Sequence, residues 1–183
     1  MEWLTSQGYR RVRGVDRDAG QVAFARGIVL DVSLANDATA WLTQQTTVNL
    51  VVMKDVLEHI PDGVSQQLLR SVAVQLASDG RIYLAAPNAS ASFATRWRYI
   101  DATHLRSYTE HSLRWQLAAA GLKVLHVTSD DAWVAGSLAG HVQQALKRSF
   151  RLWRRLETMA EFGLEGLRLP LGLNLIVIAA RDD

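Results

Sequence analysis

The chain has 183 residues, of which 49% are hydrophobic and 21% are charged, and its formal net charge is +2. This composition favours a globular domain with a sizeable core over a disordered chain. The absence of cysteine excludes a disulfide scaffold and a thiolate metal site, and it fits a cytoplasmic location. The first residues lack the basic and apolar regions of a signal peptide, and no stretch has the roughly 18 apolar residues that span a bilayer.

Short β-branched runs alternate with longer stretches of helical periodicity, which is the pattern of βαβ units and a mostly parallel sheet. Strands are predicted at residues 11–16, 27–32, 48–53, 81–86, 122–128 and 174–180. Helices are predicted near residues 19–25, over 65–77 and 109–120, with Thr109 as the N-cap, and over 138–162. We therefore expect an α/β fold with a Rossmann-like sheet, helices on both faces, and β3 (residues 48–53) buried on both sides.

Four segments carry recognisable motifs in a fixed order. They are Gly8–Asp16, Lys54–Pro61 (KDVLEHIP), Leu76–Asn88 and Asp101–Thr109 (DATHLRSYT). Together they resemble the class I S-adenosylmethionine (SAM)-dependent methyltransferases that act on small molecules. The ubiquinone-biosynthesis O-methyltransferases and the methyltransferases of sugar or lipopolysaccharide pathways are the relatives that these motifs resemble most.

The resemblance implies one methyltransferase-like domain over residues 1–183, with SAM as its cofactor and an antiparallel last strand. Residues 130–170 match nothing specific and are interpreted as a helical insertion or cap within that domain. Gly80 is expected to end the helical unit before the strand at residues 81–86.

The sequence departs from the family at the glycine-rich loop. The family has a first strand and a G-x-G-x-G loop just before the segment that Trp3–Tyr9 resembles, but the twelve glycines of this chain include no such motif. The loop normally brings backbone N–H groups close to the cofactor. We therefore expect a chain truncated before the loop: either Met1 is internal to a longer protein, or cofactor binding differs from the usual mode.

Acidic and basic residues at predicted strand ends are the candidate cofactor ligands. Asp16 is placed to accept hydrogen bonds from ribose hydroxyls. The resemblance implies that Asp37 receives the adenine amino group and that Lys54 and Asp55 flank the methionine part. The alternatives are a solvated turn aspartate at position 16 and a helix N-cap at position 37.

His104 and Asp101 are the candidate catalytic residues. Methyl transfer to a hydroxyl or ammonium acceptor requires removal of a proton, and histidine titrates near neutral pH. The alternative is that His104 caps the helix at Thr109 or bonds to Asp101.

No metal ligand is assigned from the sequence, but one alternative remains open. Glu58, His59 and His104 resemble the divalent-metal constellation of plant small-RNA 2′-O-methyltransferases and of some ubiquinone-pathway enzymes. Carboxylate and imidazole groups suit Mg²⁺, Mn²⁺ or Zn²⁺. The alternative is that Glu58 and His59 are a helix-entry pair, because a glutamate near a helix N-terminus is favourable.

The helix predicted at residues 138–162 is amphipathic. Its basic arc consists of Lys147, Arg148, Arg151, Arg154 and Arg155. Its apolar arc consists of Val142, Leu146, Phe150, Trp153 and Leu156. We interpret it as a core-facing helix with a solvated cationic side; the alternative is a dock for an anionic or lipid-linked acceptor, or for a membrane surface. No basic pattern interleaved with aromatics favours nucleic acid.

The sequence thus predicts methyl transfer from SAM to an oxygen or nitrogen of a small-molecule or saccharide acceptor. The competing hypothesis is a non-catalytic methyltransferase-like module that binds a partner or a membrane surface through the basic helix. A nicotinamide-dependent dehydrogenase is less favoured, because it also needs a glycine loop and nothing else supports hydride transfer.

Overall fold

The computed structural model describes residues 1–130 and 136–182. The helices are α1 (Glu2–Ser6), α2 (Ala19–Gly27), α3 (Ala38–Thr43), α4 (Asp62–Gln75), α5 (Ala94–Tyr99), α6 (Glu110–Ala118) and α7 (Leu138–Phe162). The strands are β1 (Arg13–Asp16), β2 (Asp31–Leu34), β3 (Val48–Lys54), β4 (Leu76–Pro87), β5 (Leu122–Ser129) and β6 (Asn174–Arg181). Two 3₁₀ turns cover Leu57–His59 and Gly163–Arg168.

The chain divides into two compact units, Met1–Val48 and Asn49–Asp183. In the N-terminal unit, β1 and β2 form a parallel pair in which Gly14 lies opposite Val32. Helix α2 begins at an N-cap, Asp18, whose carboxylate accepts a hydrogen bond from the Gln21 backbone. The buried apolar residues of this unit are Val22, Val32 and Leu42.

The C-terminal unit contains a four-stranded sheet in the order β3-β4-β6-β5. Both β4 and β5 are antiparallel to β6, so β4 and β5 run in the same direction. This confirms the prediction that the last strand is antiparallel. The fully buried apolar residues include Leu69, Ile82, Leu84, Leu113, Leu117, Leu175 and Val177. The α/β fold is therefore confirmed.

Helix α6 begins after the predicted N-cap, Thr109, and ends at Ala118, two residues before the predicted end. Thr109 accepts a hydrogen bond from the Ser112 backbone, and the Ser112 hydroxyl accepts one from the Thr109 backbone, which forms a capping box. Gly121 follows the helix with φ of +80°, a conformation in which a side chain would be strained.

Three predictions about strands are wrong. The strand predicted at residues 27–32 starts later, because α2 continues to Gly27 and Val29 takes a left-handed turn with φ of +62° before β2. Gly80 does not end a helix: it is buried within β4, where an added Cβ would come within 2.6 Å of the Leu76 side chain. Only Met53 of β3 is buried, because β3 is an edge strand in the described structure.

Helix α7 has the predicted bounds, but its predicted orientation is wrong. The side chains of Val142, Phe150 and Trp153 are exposed instead of packed in a core. The polar side is the protected one, because the following 3₁₀ turn folds back onto it and the Thr158 hydroxyl donates to the Gly166 carbonyl. Within residues 1–130 and 136–182, no helix is long and apolar enough to cross a membrane.

Candidate active site

The end of β3 presents Lys54 and Asp55 at the carboxyl end of a strand, where ligands of open α/β sheets bind. Asp55 adopts φ of +54°, which is uncommon outside glycine, and its backbone N–H donates to the Ala85 carbonyl at 3.0 Å. The Lys54 ammonium pairs with the Asp55 carboxylate, and this hydrogen bond raises the pKa of Lys54. The pair therefore carries both charge signs on an exposed turn.

Glu58 is the central residue of the 3₁₀ turn after β3, and its side chain is fully buried. Among the residues that the structure describes, neither carboxylate oxygen has a hydrogen-bond partner. Burial raises the pKa of Glu58, because an ionised carboxylate loses its hydration there. Glu58 thus lies just before α4, as the helix-entry interpretation placed it, and its carboxylate is withdrawn from solvent.

The segment from Asp101 to Thr109 is held against this turn by backbone contacts. The Leu105 backbone N–H donates to the Glu58 carbonyl at 2.7 Å. The Tyr108 hydroxyl donates to the Leu57 carbonyl at 3.2 Å, and burial raises the pKa of Tyr108 to about 12. The tyrosine hydroxyl therefore remains protonated at neutral pH and acts as a fixed donor.

A short hydrogen-bond chain connects Asp101 to His59 through Thr103. The Thr103 backbone N–H and hydroxyl both donate to the Asp101 carboxylate, at 2.8 and 2.7 Å, and these bonds lower the pKa of Asp101. Because the hydroxyl has one proton, its oxygen accepts the bond from His59 Nδ1, 2.9 Å away. This fixes the tautomer of a neutral His59 and leaves its Nε2 lone pair available.

His104 lies beside His59, with 4.7 Å between the ring centroids. Its Nδ1 is buried and has no hydrogen-bond partner within the described part of the chain. Glu58, His59 and His104 each bring one potential ligand atom within 4.8 Å of the others. A hydrogen-bond donor or a cation would satisfy these groups, because buried polar atoms without partners cost free energy.

Asp16 and Asp37 belong to the N-terminal unit and are described within it. Asp16 ends β1, and its carboxylate accepts a hydrogen bond from the Asp18 backbone at 2.9 Å. Asp37 caps α3, accepting from the Thr39 and Ala40 backbones through one carboxylate oxygen. The N-cap interpretation of Asp37 is thus correct, and a ligand would have to use its second oxygen.

The structure brings together the motifs at residues 54–61 and 101–109. Of the two predicted catalytic residues, Asp101 bonds to Thr103 through its carboxylate, and the backbone N–H of His104 donates to the Asp101 carbonyl at 3.2 Å. No role was predicted for Thr103. Its signal was the Asp-x-Thr spacing, which is typical of a side chain that bonds to the backbone two residues on.

Solved methyltransferase structures share this fold. A SAM-dependent methyltransferase from Archaeoglobus fulgidus has a TM-score of 0.68 at 18% identity, over 97% of this chain and 79% of that one. A complex of the Haloferax volcanii Trm112 methyltransferase activator with a methyltransferase gives 0.62 at 14% identity, over 94% and 73%. A mitomycin 7-O-methyltransferase gives 0.54 at 15% identity, over 93% and 42%.

No curated protein matches the sequence. A family model described as a methyltransferase domain matches residues 1–127, which is more than half of the chain. The match contains both motifs of the candidate site and ends before α7 begins. The chain therefore belongs to the methyltransferase domain family.

Proposed function

We propose that this protein transfers a methyl group from SAM to an oxygen or nitrogen of a small-molecule or saccharide acceptor. The observation that carries the proposal is the cluster of buried Glu58 and half-buried His59 and His104 beside the carboxyl end of β3. Side chains with unsatisfied donors or acceptors at such a position are typical of functional sites. A module that only binds a partner through its surface would not need them.

The residues at the strand ends fit a nucleoside cofactor by their chemistry. Asp16 ends β1 with a carboxylate that can accept bonds from vicinal hydroxyls. Lys54 and Asp55 would flank the charged methionine part, and Asp37 would accept from the adenine amino group.

SAM, when bound, supplies an electrophilic methyl carbon on a sulfonium. The acceptor oxygen or nitrogen must lose its proton as the new carbon–oxygen or carbon–nitrogen bond forms. His104, whose ring is only half-buried, would take this proton on its imidazole. Asp101 and Thr103 would hold His59 in one tautomer and so keep the neighbouring ring in place.

The acceptor to test first is a hydroxyl on a small molecule. The segment KDVLEHIP resembles ubiquinone-pathway O-methyltransferases, and one structure of the same fold is named a mitomycin 7-O-methyltransferase. The acceptor to test second is an anionic or lipid-linked saccharide, which the cationic residues of α7 favour.

Calorimetric titration with S-adenosylhomocysteine, the demethylated product, tests cofactor binding without knowledge of the acceptor. We expect binding that is weakened by roughly tenfold or more in Asp16→Ala, because two charge-assisted hydrogen bonds are lost. Asp31→Ala is the matched control, since Asp31 is an exposed aspartate at the opposite end of the same two-stranded sheet. A folded protein that does not bind the product contradicts the proposal.

His104→Ala tests the proposed base. We expect turnover to fall by about 10²–10⁴-fold with little change in product affinity, because the residue acts on the acceptor proton. His126→Ala, on the exposed face of β5, is the control. Equal turnover in both variants would remove His104 from the chemistry.

A second role for the same cluster is binding of a divalent cation by Glu58, His59 and His104. Two imidazoles and a carboxylate form a ligand set that leaves positions for water or acceptor. After treatment with a chelator, Mn²⁺ or Zn²⁺ should raise the melting temperature of the wild type but not of His59→Ala. A metal-free protein with full activity would leave His104 as a base alone.

A further inference from the structure

Helix α7 exposes a continuous apolar side. Phe150 and Trp153 are 69% and 67% exposed, and Leu138 is 83% exposed. At 100° per residue these side chains fall on one arc of the helix. The other members of this arc are Val142, Leu146 and Leu156, all exposed as well. We call this arc the α7 apolar face.

The orientation of the helix is fixed from its polar side. Thr158 is buried, and its hydroxyl donates to the Gly166 carbonyl of the following turn at 2.9 Å. A Cβ at position 166 would come within 2.0 Å of the Thr158 carbonyl oxygen, so the turn packs directly on the helix backbone. Arg155 donates to the Leu167 carbonyl of the same turn. These contacts direct the α7 apolar face away from the turn.

The charge on α7 is concentrated at its middle. Five cations lie between Lys147 and Arg155, and no acidic residue lies among them. Lys147 and Arg148 are exposed and lie beyond the edge of the apolar face. Exposed aromatic residues flanked by lysine and arginine are the composition of a helix that lies in a membrane interface.

We propose that α7 docks this protein on an anionic lipid surface, with the helix parallel to the membrane plane. The apolar face would enter the boundary between headgroups and acyl chains, and the exposed cations would contact lipid phosphates. The helix has 25 residues and is therefore about 37 Å long, enough to cover several lipids. The docking does not depend on which acceptor is methylated.

Charge decides in favour of lipid over a second copy of the chain. A second α7 could cover the apolar face, but it would bring the same excess of positive charge. An anionic bilayer offers both an apolar layer and the opposite charge, which contributes to binding for each lysine or arginine near the surface. The exposed cations Lys147 and Arg148 would therefore meet opposite charge on an anionic bilayer but not on a second copy of α7.

Flotation with vesicles tests the proposal. We expect the full chain to float with vesicles of phosphatidylcholine and phosphatidylglycerol in equal parts, and weakly with phosphatidylcholine alone. Phe150→Ser with Trp153→Ser should lower the bound fraction by about tenfold or more, because two large apolar side chains no longer enter the bilayer. Lys147→Gln with Arg148→Gln should lower it by roughly tenfold and remove most of its salt dependence.

Trp115→Ser is the matched control, because Trp115 is 73% exposed on α6 and lies outside the α7 apolar face. All substituted residues are exposed, so circular dichroism and melting temperature should stay close to wild type. Absence of flotation on anionic vesicles overturns the proposal. So does flotation that is equal in the Phe150/Trp153 variant and in the control, or sedimentation showing that the same two residues hold a dimer that does not float.

Discussion

Thr103 is the residue through which Asp101 acts on His59. Thr103→Val keeps the shape of the side chain but removes the hydroxyl that joins the two groups. We expect kcat/KM to fall by roughly 10- to 100-fold, because a histidine that loses its orienting partner is free to change tautomer and ring position. The pH profile of kcat/KM should also move, which a purely structural change would not cause.

Thr103→Ser is the conservative variant and should restore most of the activity, because it keeps the hydroxyl. Thr128→Val, on the exposed side of β5, is the control for the loss of a threonine. An unchanged pH profile in Thr103→Val would show that the hydrogen-bond chain has no part in the reaction.

Glu58 should make stability depend on pH in the absence of metal. Its folded-state pKa is raised by burial, so its contribution is complete below the ordinary glutamate pKa of about 4.3 and is lost as the pH rises through the folded-state value. Glu58→Gln stays neutral and escapes this loss. We therefore expect the variant to gain stability relative to wild type as the pH rises above about 4.3, by on the order of 1 kcal/mol.

Urea unfolding in the presence of a chelator measures this difference. Glu161→Gln, at an exposed position near the end of α7, should show no such trend. A constant difference between Glu58→Gln and wild type at all pH values would mean that Glu58 is not desolvated.

The residues of the candidate site were largely predictable, but their connections were not. The motifs identified Glu58, His59 and His104, since carboxylates and imidazoles at the end of a strand are unusual for a purely structural turn. The link from Asp101 through Thr103 depends on how two segments more than forty residues apart meet. Tertiary packing determines how these two segments come together, and the spacing of residues along the sequence does not specify it.

At the scale of elements, two substitutions of Asp37 distinguish its role as the N-cap of α3 from a role in cofactor binding. Asp37→Asn keeps an oxygen that can cap α3, so its free energy of unfolding should match wild type, whereas Asp37→Ala should lose about 1 kcal/mol. If Asp37 also receives the adenine amino group, the asparagine variant should bind S-adenosylhomocysteine about tenfold more weakly. Wild-type affinity in Asp37→Asn would leave the cap as its whole role.

Periodicity predicted the bounds of α7 but not the side that it buries. The apolar arc is the usual core-facing side of a helix, and here it is exposed because the turn at Gly163–Arg168 contacts the polar side.

The prediction of a strand at residues 27–32 was wrong for a local reason. An apolar run of β-branched residues predicts a strand, but Val29 adopts a left-handed backbone that such residues rarely take.

For the whole molecule, the two units differ in how much apolar surface they bury. Three buried apolar residues were found in the described N-terminal unit, whereas β4 and β6 alone contribute several that are fully buried. Hydrogen exchange should therefore be faster, by at least roughly tenfold, for amides of β1 and β2 than for amides of β4 and β6. Equal protection would mean that the chain opens only as one cooperative structure.

If Asp16 binds S-adenosylhomocysteine, this product should reduce the difference in exchange rate between the amides of β1 and β2 and those of β4 and β6. A ligand that binds only when β1 and β2 are folded slows the exchange of their amides by about 100-fold when its concentration is about 100 times its Kd. We expect S-adenosylhomocysteine to protect β1 and β2 in the wild type and in Asp31→Ala, but not in Asp16→Ala at the same concentration. Protection that persists in Asp16→Ala would mean that the product is held without the β1 carboxylate, and the cofactor contacts would then have to be sought among the residues that follow β3.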